Sequence, residues 1–184
     1  MELHGQRLYV ARASHNLMGI IDTTTNRTIG AVQGLQRVLG VALTPEYPLG
    51  FASAGKENVL GVFSLTDNQL AKKIPGGTDP DATFTMKVAP RLRGPCRQEG
   101  TLIDPQTEIL VATIDLGREP EFCQADPSTG LIYQNLEDTS EVVLIDPRMR
   151  AVIRRHKLAP GEGPTGLALD AVNRRLFSTT AIRS

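Results

Sequence analysis

The chain of 184 residues lacks several features that define common protein classes. Its two cysteines, Cys96 and Cys123, lie 27 residues apart without CxxC spacing, which predicts neither a metal motif nor a disulfide framework. Lysine plus arginine equals aspartate plus glutamate at 20 each, so the whole chain has no electrostatic reason to bind nucleic acid or an anionic membrane. The longest apolar runs are about six residues, and no basic-then-apolar leader precedes them. We therefore expect no membrane span, and no export signal in the chain as given.

A repeat is the strongest feature that the sequence does contain. If Asp22, Ser64, Asp104 and Asp146 are equivalent, they are 42, 40 and 42 residues apart. A second anchor gives spacings of 42, 40 and 44, and its members are Val38, Pro80, Pro120 and Pro164. Two independent anchors with one period indicate a repeat architecture.

Each repeat reads as four β-strands. The second unit shows this in VLGVALTP, GFASA, VLGVFS and QLAKKI between Val38 and Ile74. In EVVLID, Glu141 to Asp146, apolar residues fall on both faces, as expected for a sheet packed between two neighbours. We predict an all-β fold, a β-propeller of four-stranded blades with a period near 42 residues. The chain is one domain, 1–184, with blades at about 1–37 (partial), 38–79, 80–119, 120–163 and 164–184 (partial).

The recurring aspartates are interpreted as turn residues rather than metal ligands. Asp146 with Pro147, like Asp104 with Pro105, fits a turn in which the aspartate side chain accepts hydrogen bonds from nearby backbone amides. The acidic turn formed by Glu137, Asp138 and Glu141, together with Asn135, could hold a hard cation, but a solvated hairpin turn is the favoured interpretation.

The repeat resembles a known family. Tryptophan is absent, so the signatures of WD-repeat propellers do not apply. RLYVA with IIDTTTNRTIGAV, and GLIYQN with VVLIDPRMRAVI, resemble the YVTN-type propeller repeat. Most of the chain is similar to the YncE-like proteins of bacteria, with NLEDTSEVVLID the most specific string. The resemblance implies a roughly seven-bladed ring, exported to the periplasm or secreted, that acts as a noncatalytic binding or scaffold protein. Expressed without a leader, the chain would stay in the cytoplasm.

The ends of the chain depart from a closed ring. Met1 to Gly5 reads as a short lead, so that the chain starts at the second strand of one blade and stops at the second strand of another. This gives about four and a quarter blades, an incomplete arc. Such an arc would leave blade faces uncovered, through which it could self-associate.

Residues 85–101 depart from the repeat as well. Two prolines interrupt this segment, which makes a central strand there improbable, and we interpret the second strand of the third blade as eroded. The alternative is a basic loop that binds nucleic acid through Lys87, Arg91, Arg93 and Arg97. No aromatic residue lies between these charges to stack on a base, so nucleic-acid binding is the less favoured interpretation.

The predicted ligand site lies where the linkers between blades gather at one mouth of the central channel. Those linkers contribute Arg37, Asp79, Asp81, Glu119, Glu121, Glu162 and Thr165. Their carboxylates would favour a cation, a basic small molecule or a basic protein and disfavour nucleic acid. The sequence identifies no catalytic residue, metal site or cofactor: GEGPTG precedes a strand rather than the helix of a dinucleotide fold, and the three histidines are scattered. The alternative from another class is a metal-dependent, lactonase-like propeller hydrolase. A quinone-cofactor dehydrogenase is disfavoured, because its docking motifs rely on tryptophan.

Overall fold

The fold is almost entirely antiparallel β-sheet. The computed structural model describes residues 1–80, 84–85, 92–96, 99–117 and 119–181, and of residues 84–85 and 92–96 the backbone alone. This part of the chain contains no α-helix, only two short 3-10 helices at Ala13–His15 and Gly55–Glu57. No helix in it is long and apolar enough to cross a membrane.

The strands form four consecutive four-stranded sheets and one two-stranded hairpin, each ordered as in the sequence. The first sheet comprises β1 (Glu2–His4), β2 (Arg7–Arg12), β3 (Leu17–Asp22) and β4 (Arg27–Val32). The second comprises β5 (Val38–Thr44), β6 (Leu49–Ala54), β7 (Val59–Ser64) and β8 (Leu70–Pro75). The third comprises β9 (Phe84–Thr85), β10 (Leu92–Cys96), β11 (Glu99–Asp104) and β12 (Ile109–Asp115). The fourth comprises β13 (Pro120–Ala125), β14 (Ile132–Leu136), β15 (Glu141–Asp146) and β16 (Ala151–Lys157), and the hairpin comprises β17 (Leu167–Asp170) and β18 (Arg175–Ser178).

A bulge in the fourth strand of every four-stranded sheet reproduces the sequence period. In the first sheet Ile20 pairs with Gly30 and Ile21 with Thr28, which leaves one extra residue, Ile29. The same shift occurs in the other sheets, and the four extra residues are Ile29, Ala71, Val111 and Ile153. Their spacings are again 42, 40 and 42. The period found in the amino-acid sequence is therefore also a period of the backbone structure.

The prediction that the recurring aspartates cap turns is confirmed. Asp22 Oδ1 accepts hydrogen bonds from the amides of Thr24 and Thr25 at 2.9 and 2.7 Å. Ser64, Asp104 and Asp146 accept equivalent bonds from the residue two positions on, at 3.1, 2.9 and 2.8 Å. Each of these turns ends on a residue with positive φ, and these residues are Asn26, Asn68, Glu108 and Arg150.

Three apolar clusters join the four sheets face to face. The first joins the first two sheets, with the rings of Tyr9 and Phe63 5.7 Å apart. The second cluster joins Leu60 and Val62 of β7 to Ile103 of β11, and the third joins the third and fourth sheets. Both faces of a sheet are therefore apolar because each covers a neighbour. Phe63 lies so close over Gly50 that a Cβ there would meet its ring at 2.0 Å.

The structure corrects the interpretation of residues 85–101. β10 runs through Pro95 and pairs with both β9 and β11, so a central strand exists where the prolines argued against one. β9 pairs with Leu92 and Arg93 only. Among the described residues, Pro95 therefore has a ladder partner on one side, Gly100 of β11, and its missing N–H need not interrupt a second ladder.

The interpretation of Met1 to Gly5 as a lead is also wrong. Glu2, Leu3 and His4 form β1 and pair with Tyr9, Leu8 and Arg7 of β2. The first sheet thus has four strands, and its first strand is short. Three residues are too few for an alternating pattern, which is why the sequence does not reveal this strand.

Candidate functional site

The predicted site linkers lie at the same end of the sheets as the turns between second and third strands. This position follows from the antiparallel order, and side-chain-to-backbone hydrogen bonds fix it. In three places, a side chain in the turn of one sheet accepts a hydrogen bond from an amide of the linker that follows that sheet. These bonds are Arg37 N to Asn16 Oδ1 at 2.9 Å, Asp79 N to Asn58 Oδ1 at 2.8 Å, and Gly163 N to Ser140 Oγ at 3.2 Å.

The turn residues that accept these bonds have left-handed backbones. Asn16, Asn58 and Ser140 have φ of 52°, 57° and 53°. Asparagine tolerates this conformation better than most residues, and it also supplies the acceptor oxygen. The backbones of Asn58 and Ser140 also bind the chain as it leaves the fourth strand, since the amides of Gly76 and Leu158 donate to their carbonyls at 3.0 Å each. The linkers that follow β8 and β16 are thus held at two points.

Two predicted site residues, Arg37 and Asp79, contact each other directly. The Arg37 guanidinium lies 2.5 Å from Asp79 Oδ1, and both backbones have positive φ. Gly55 lies against the pair, where a Cβ would be 2.5 Å from Asp79 Oδ1. The Arg37 side chain is half exposed and that of Asp79 is a quarter exposed. The pair joins two successive linkers. Position 55 must be glycine, because a larger residue would collide with the pair.

Glu57, which the sequence analysis did not identify, belongs to the same end of the second sheet. Its carboxylate contacts Lys73 Nζ at 2.5 Å and accepts the amide of Gln36 at 2.9 Å. The hydrogen bond from Lys73 is the main reason that its pKa lies below the ordinary value. A glutamate inside a 3-10 helix gives no local signal of this role, since both partners are distant in sequence.

The other described candidates are held by their backbones, and most of their side chains are exposed. The Glu119 amide donates to Asp138 Oδ1 at 3.3 Å, and the Glu119 carbonyl accepts the amide of Glu137 at 3.0 Å. Glu162 exchanges two backbone hydrogen bonds with Ala181, at 2.7 and 2.8 Å. Thr165 N donates to the Thr179 carbonyl at 3.2 Å, while Glu121 lies in the irregular part of β13. Glu119, Glu162 and Thr165 are exposed and Glu121 is partly buried.

Buried polar residues at the fourth sheet, which the sequence analysis did not assign, hold the inner strand. Between Pro120 and Cys123 the register of β13 shifts, and the Gln134 amide donates to the carbonyls freed there, those of Glu121 at 2.9 Å and Phe122 at 3.3 Å. In the second sheet, Ser53 Oγ accepts the Gly40 amide at 2.7 Å at the equivalent shift. Glutamine within the apolar strand GLIYQN was the available signal, because buried amides need partners.

Asn135 docks the final hairpin on the fourth sheet. Its Nδ2 donates to the Gly166 carbonyl at 3.0 Å, and its Oδ1 accepts the Ser178 hydroxyl at 3.1 Å. Both groups of the buried side chain are thus engaged. This contact agrees with the interpretation of the neighbouring acidic turn as a hairpin turn.

Some predicted residues lie outside the described part of the chain. Asp81, Lys87, Arg91 and Arg97 fall there, and of Arg93 only the backbone, on β10, is described. Among the residues whose side chains are described, no group of three histidine, cysteine, aspartate or glutamate residues could hold a metal ion.

Solved structures share this arrangement of sheets. A chain of Kuenenia stuttgartiensis hydrazine synthase matches 90% of this chain with a TM-score of 0.83 at 16% identity. The Cps50 (Swd1) β-propeller domain of Myceliophteria thermophila matches 97% with a TM-score of 0.71 at 12% identity. The chain has a β-propeller fold. It spans 49% and 64% of the length of these two chains. No protein-family model and no curated protein sequence matches it.

Proposed function

We propose that this β-propeller is a noncatalytic binding or scaffold protein that presents a ligand site on the linkers between its blades. The recurring bond from a linker amide to a turn side chain carries the proposal. Asn16, Asn58 and Ser140 each fix one linker. Binding residues in proteins commonly lie on loops positioned by a rigid scaffold, and loops fixed in advance lose less entropy on binding.

The ligand class follows from charge. Glu119 and Glu162 are exposed, Glu121 is partly buried, and Asp79 already contacts Arg37. Carboxylates on several linkers favour a cation or a basic ligand. We expect a basic small molecule or a basic protein segment, with Thr165 and Asp81 on the same linkers.

A labelled tetralysine peptide tests this proposal. We expect it to bind, and the substitutions Glu119→Gln and Glu162→Gln to weaken binding about two- to fivefold each, the range for exposed ion pairs. Glu46→Gln is the matched control, because Glu46 is also exposed but lies in the turn between β5 and β6, at the opposite end of the sheet. Equal affinity of the rim variants and the control variant would rule out the proposed site.

Calcium distinguishes the binding protein from the hydrolase. A bound ion raises the melting temperature by mass action. If calcium stabilises the protein and the loaded protein opens lactones, the metal-dependent hydrolase replaces our proposal. If the basic 87–97 segment binds nucleic acid instead, Arg91→Gln with Arg93→Gln would abolish a salt-sensitive affinity for DNA.

We further propose that the chain is a bacterial YncE-like protein exported to the periplasm. Support comes from the YVTN-type strings, which coincide with β2 to β4 and with β14 to β16. Additional repeats in phase beside this gene, and recovery of the native product in the periplasmic fraction, would be the expected results. Recovery in the cytoplasm alone would contradict the proposed location.

A further inference from the structure

The outer strand of the fourth sheet, β16, is exposed and basic. It is the last strand in the order β13-β14-β15-β16, and Ile153 to Lys157 are all exposed. Four of these five residues are Arg154, Arg155, His156 and Lys157. Two further arginines, Arg148 and Arg150, lie in the preceding turn.

The charges of this strand differ from those of its counterpart in the second sheet. On β8, Lys72 contacts Glu108 at 2.7 Å and Lys73 contacts Glu57 at 2.5 Å, so both lysines are neutralised. Within the described part of the chain, Arg155 is the one β16 residue paired in this way, with Glu141 at 3.2 Å. It also donates to the Leu116 carbonyl at 2.9 Å, which fixes the strand against the preceding linker.

The remaining cations form what we call the β16 basic strip, namely Arg148, Arg150, Arg154 and Lys157. Among the described residues, none of the four has an acidic partner. The hairpin 141–157 contains five arginine or lysine residues and two carboxylates, a net charge of +3 in a chain whose total is zero. A local excess of this size selects an anionic partner.

The backbone of β16 indicates which kind of anionic partner the strand can bind. After the extra residue Ile153, the strand is regular from Arg154 to Lys157 on the side of β15. Its other edge pairs with no strand among the described residues. An extended peptide can pair with such an edge, and its side chains then lie on both faces of the sheet, beside Arg154 on one face and Lys157 on the other.

We propose that the β16 basic strip binds an acidic polypeptide segment in extended conformation. From Arg150 to Lys157 the strip spans about 23 Å at roughly 3.3 Å per residue, the length of about eight residues of peptide. The hairpin has no tryptophan, tyrosine or phenylalanine on which a base could stack, which favours an acidic peptide over single-stranded nucleic acid. This surface differs in charge from the acidic linker rim and requires a ligand of opposite charge.

The test uses the whole chain and a labelled peptide of eight glutamate residues, which places carboxylates on both faces of an added strand. Fluorescence anisotropy in about 0.1 M salt, where the Debye length is about 10 Å, measures its affinity. We expect Arg154→Gln combined with Lys157→Gln to weaken binding about tenfold. The matched control, Arg27→Gln with Lys56→Gln, removes two exposed charges elsewhere and should leave affinity unchanged.

Three results would overturn the proposal. They are equal binding of a peptide with glutamine in place of glutamate, unchanged affinity of the β16 double variant, and tighter binding of an oligonucleotide than of the acidic peptide. Should the double variant fail to fold, Arg148→Gln on the exposed turn provides the same test, with an expected loss of about threefold. Failure of tetralysine binding at the rim would leave this result unaffected.

Discussion

The carboxylate of Asp126 is fully buried, yet its hydrogen-bond partners favour the ionised form. Burial raises its pKa, but hydrogen bonds from the Ser128 hydroxyl at 2.7 Å and from Arg174 at 2.5 Å outweigh burial and lower the pKa well below its ordinary value. Asp126 lies in the turn before β14, and Arg174 lies in the turn between β17 and β18. One carboxylate thus attaches the hairpin to the fourth sheet, in addition to Asn135.

Because the folded-state pKa of Asp126 is lowered, its contribution to stability is fully present above the unfolded value, about pH 4, and is lost as pH falls towards the folded value. We expect Asp126→Asn to lower the free energy of unfolding at pH 7 by about 1–3 kcal/mol. The difference in free energy of unfolding between the variant and the unsubstituted protein should become smaller below pH 4. Denaturant titration of these two proteins at several pH values measures this difference.

Asp22→Asn is the control for that experiment. Asp22 also caps a turn, but it is only partly buried and has no arginine partner among the described residues. Its replacement should have a smaller effect. A deficit for Asp126→Asn that does not depend on pH would contradict the assignment of the charge.

At the scale of the structural element, the linkers depend on the turn residues that hold them. Asn58 has two roles, since its left-handed backbone ends the 3-10 helix Gly55–Glu57 and its side chain accepts the Asp79 amide. Two substitutions of Asn58, to alanine and to glycine, separate the backbone role from the side-chain role. We expect Asn58→Ala to lower the free energy of unfolding by about 1–2 kcal/mol and to speed hydrogen exchange at the Asp79 amide.

Asn58→Gly keeps the left-handed backbone and removes only the side-chain acceptor, so it should cost less than alanine while exchange at Asp79 still accelerates. Asn26→Ala is the matched control for backbone strain alone, because Asn26 has φ of 55° in the exposed turn between β3 and β4, at the end of the sheet opposite the linkers. If exchange at Asp79 is unchanged in both Asn58 variants, the linker is not held by this bond.

For the whole molecule, apolar side chains remain exposed at both ends of the series of sheets. Leu3 and Ile29 of the first sheet are 60% and 53% exposed, and Phe177 of the hairpin is 57% exposed. In the middle of the series, each sheet face packs on a neighbour. We expect the chain to self-associate at micromolar concentration, which sedimentation velocity measures, and Phe177→Ser to reduce association.

Met149→Ser is the control for self-association, since Met149 is 68% exposed but lies in the turn between β15 and β16. Its substitution should leave the sedimentation coefficient unchanged. A single monomeric species across the whole concentration range would contradict the prediction.

The sequence by itself determined the period, most of the strands and the capped turns, because these depend on local chemistry. Asp22 and Asp146 cap turns by accepting hydrogen bonds from amides two and three residues further along the chain. Apolar residues on both faces of β15 likewise predict that its sheet packs between two neighbouring sheets. The prolines of residues 85–101 led to a wrong prediction because only their local effect was considered. Proline always lacks a backbone N–H donor, but whether β10 tolerates Pro95 depends on which strands pair with it at that position.

Only the tertiary structure decided which polar residues act together. Arg37 meets Asp79 across 42 residues of sequence, and Asp126 meets Arg174 across 48. Neither pair leaves a local pattern, because sheet packing brings the partners together. The same holds for the contrast between the paired lysines of β8 and the β16 basic strip, for which the described residues provide no acidic partner. Charge along a strand can be read from the sequence, but whether a carboxylate from another element neutralises it cannot.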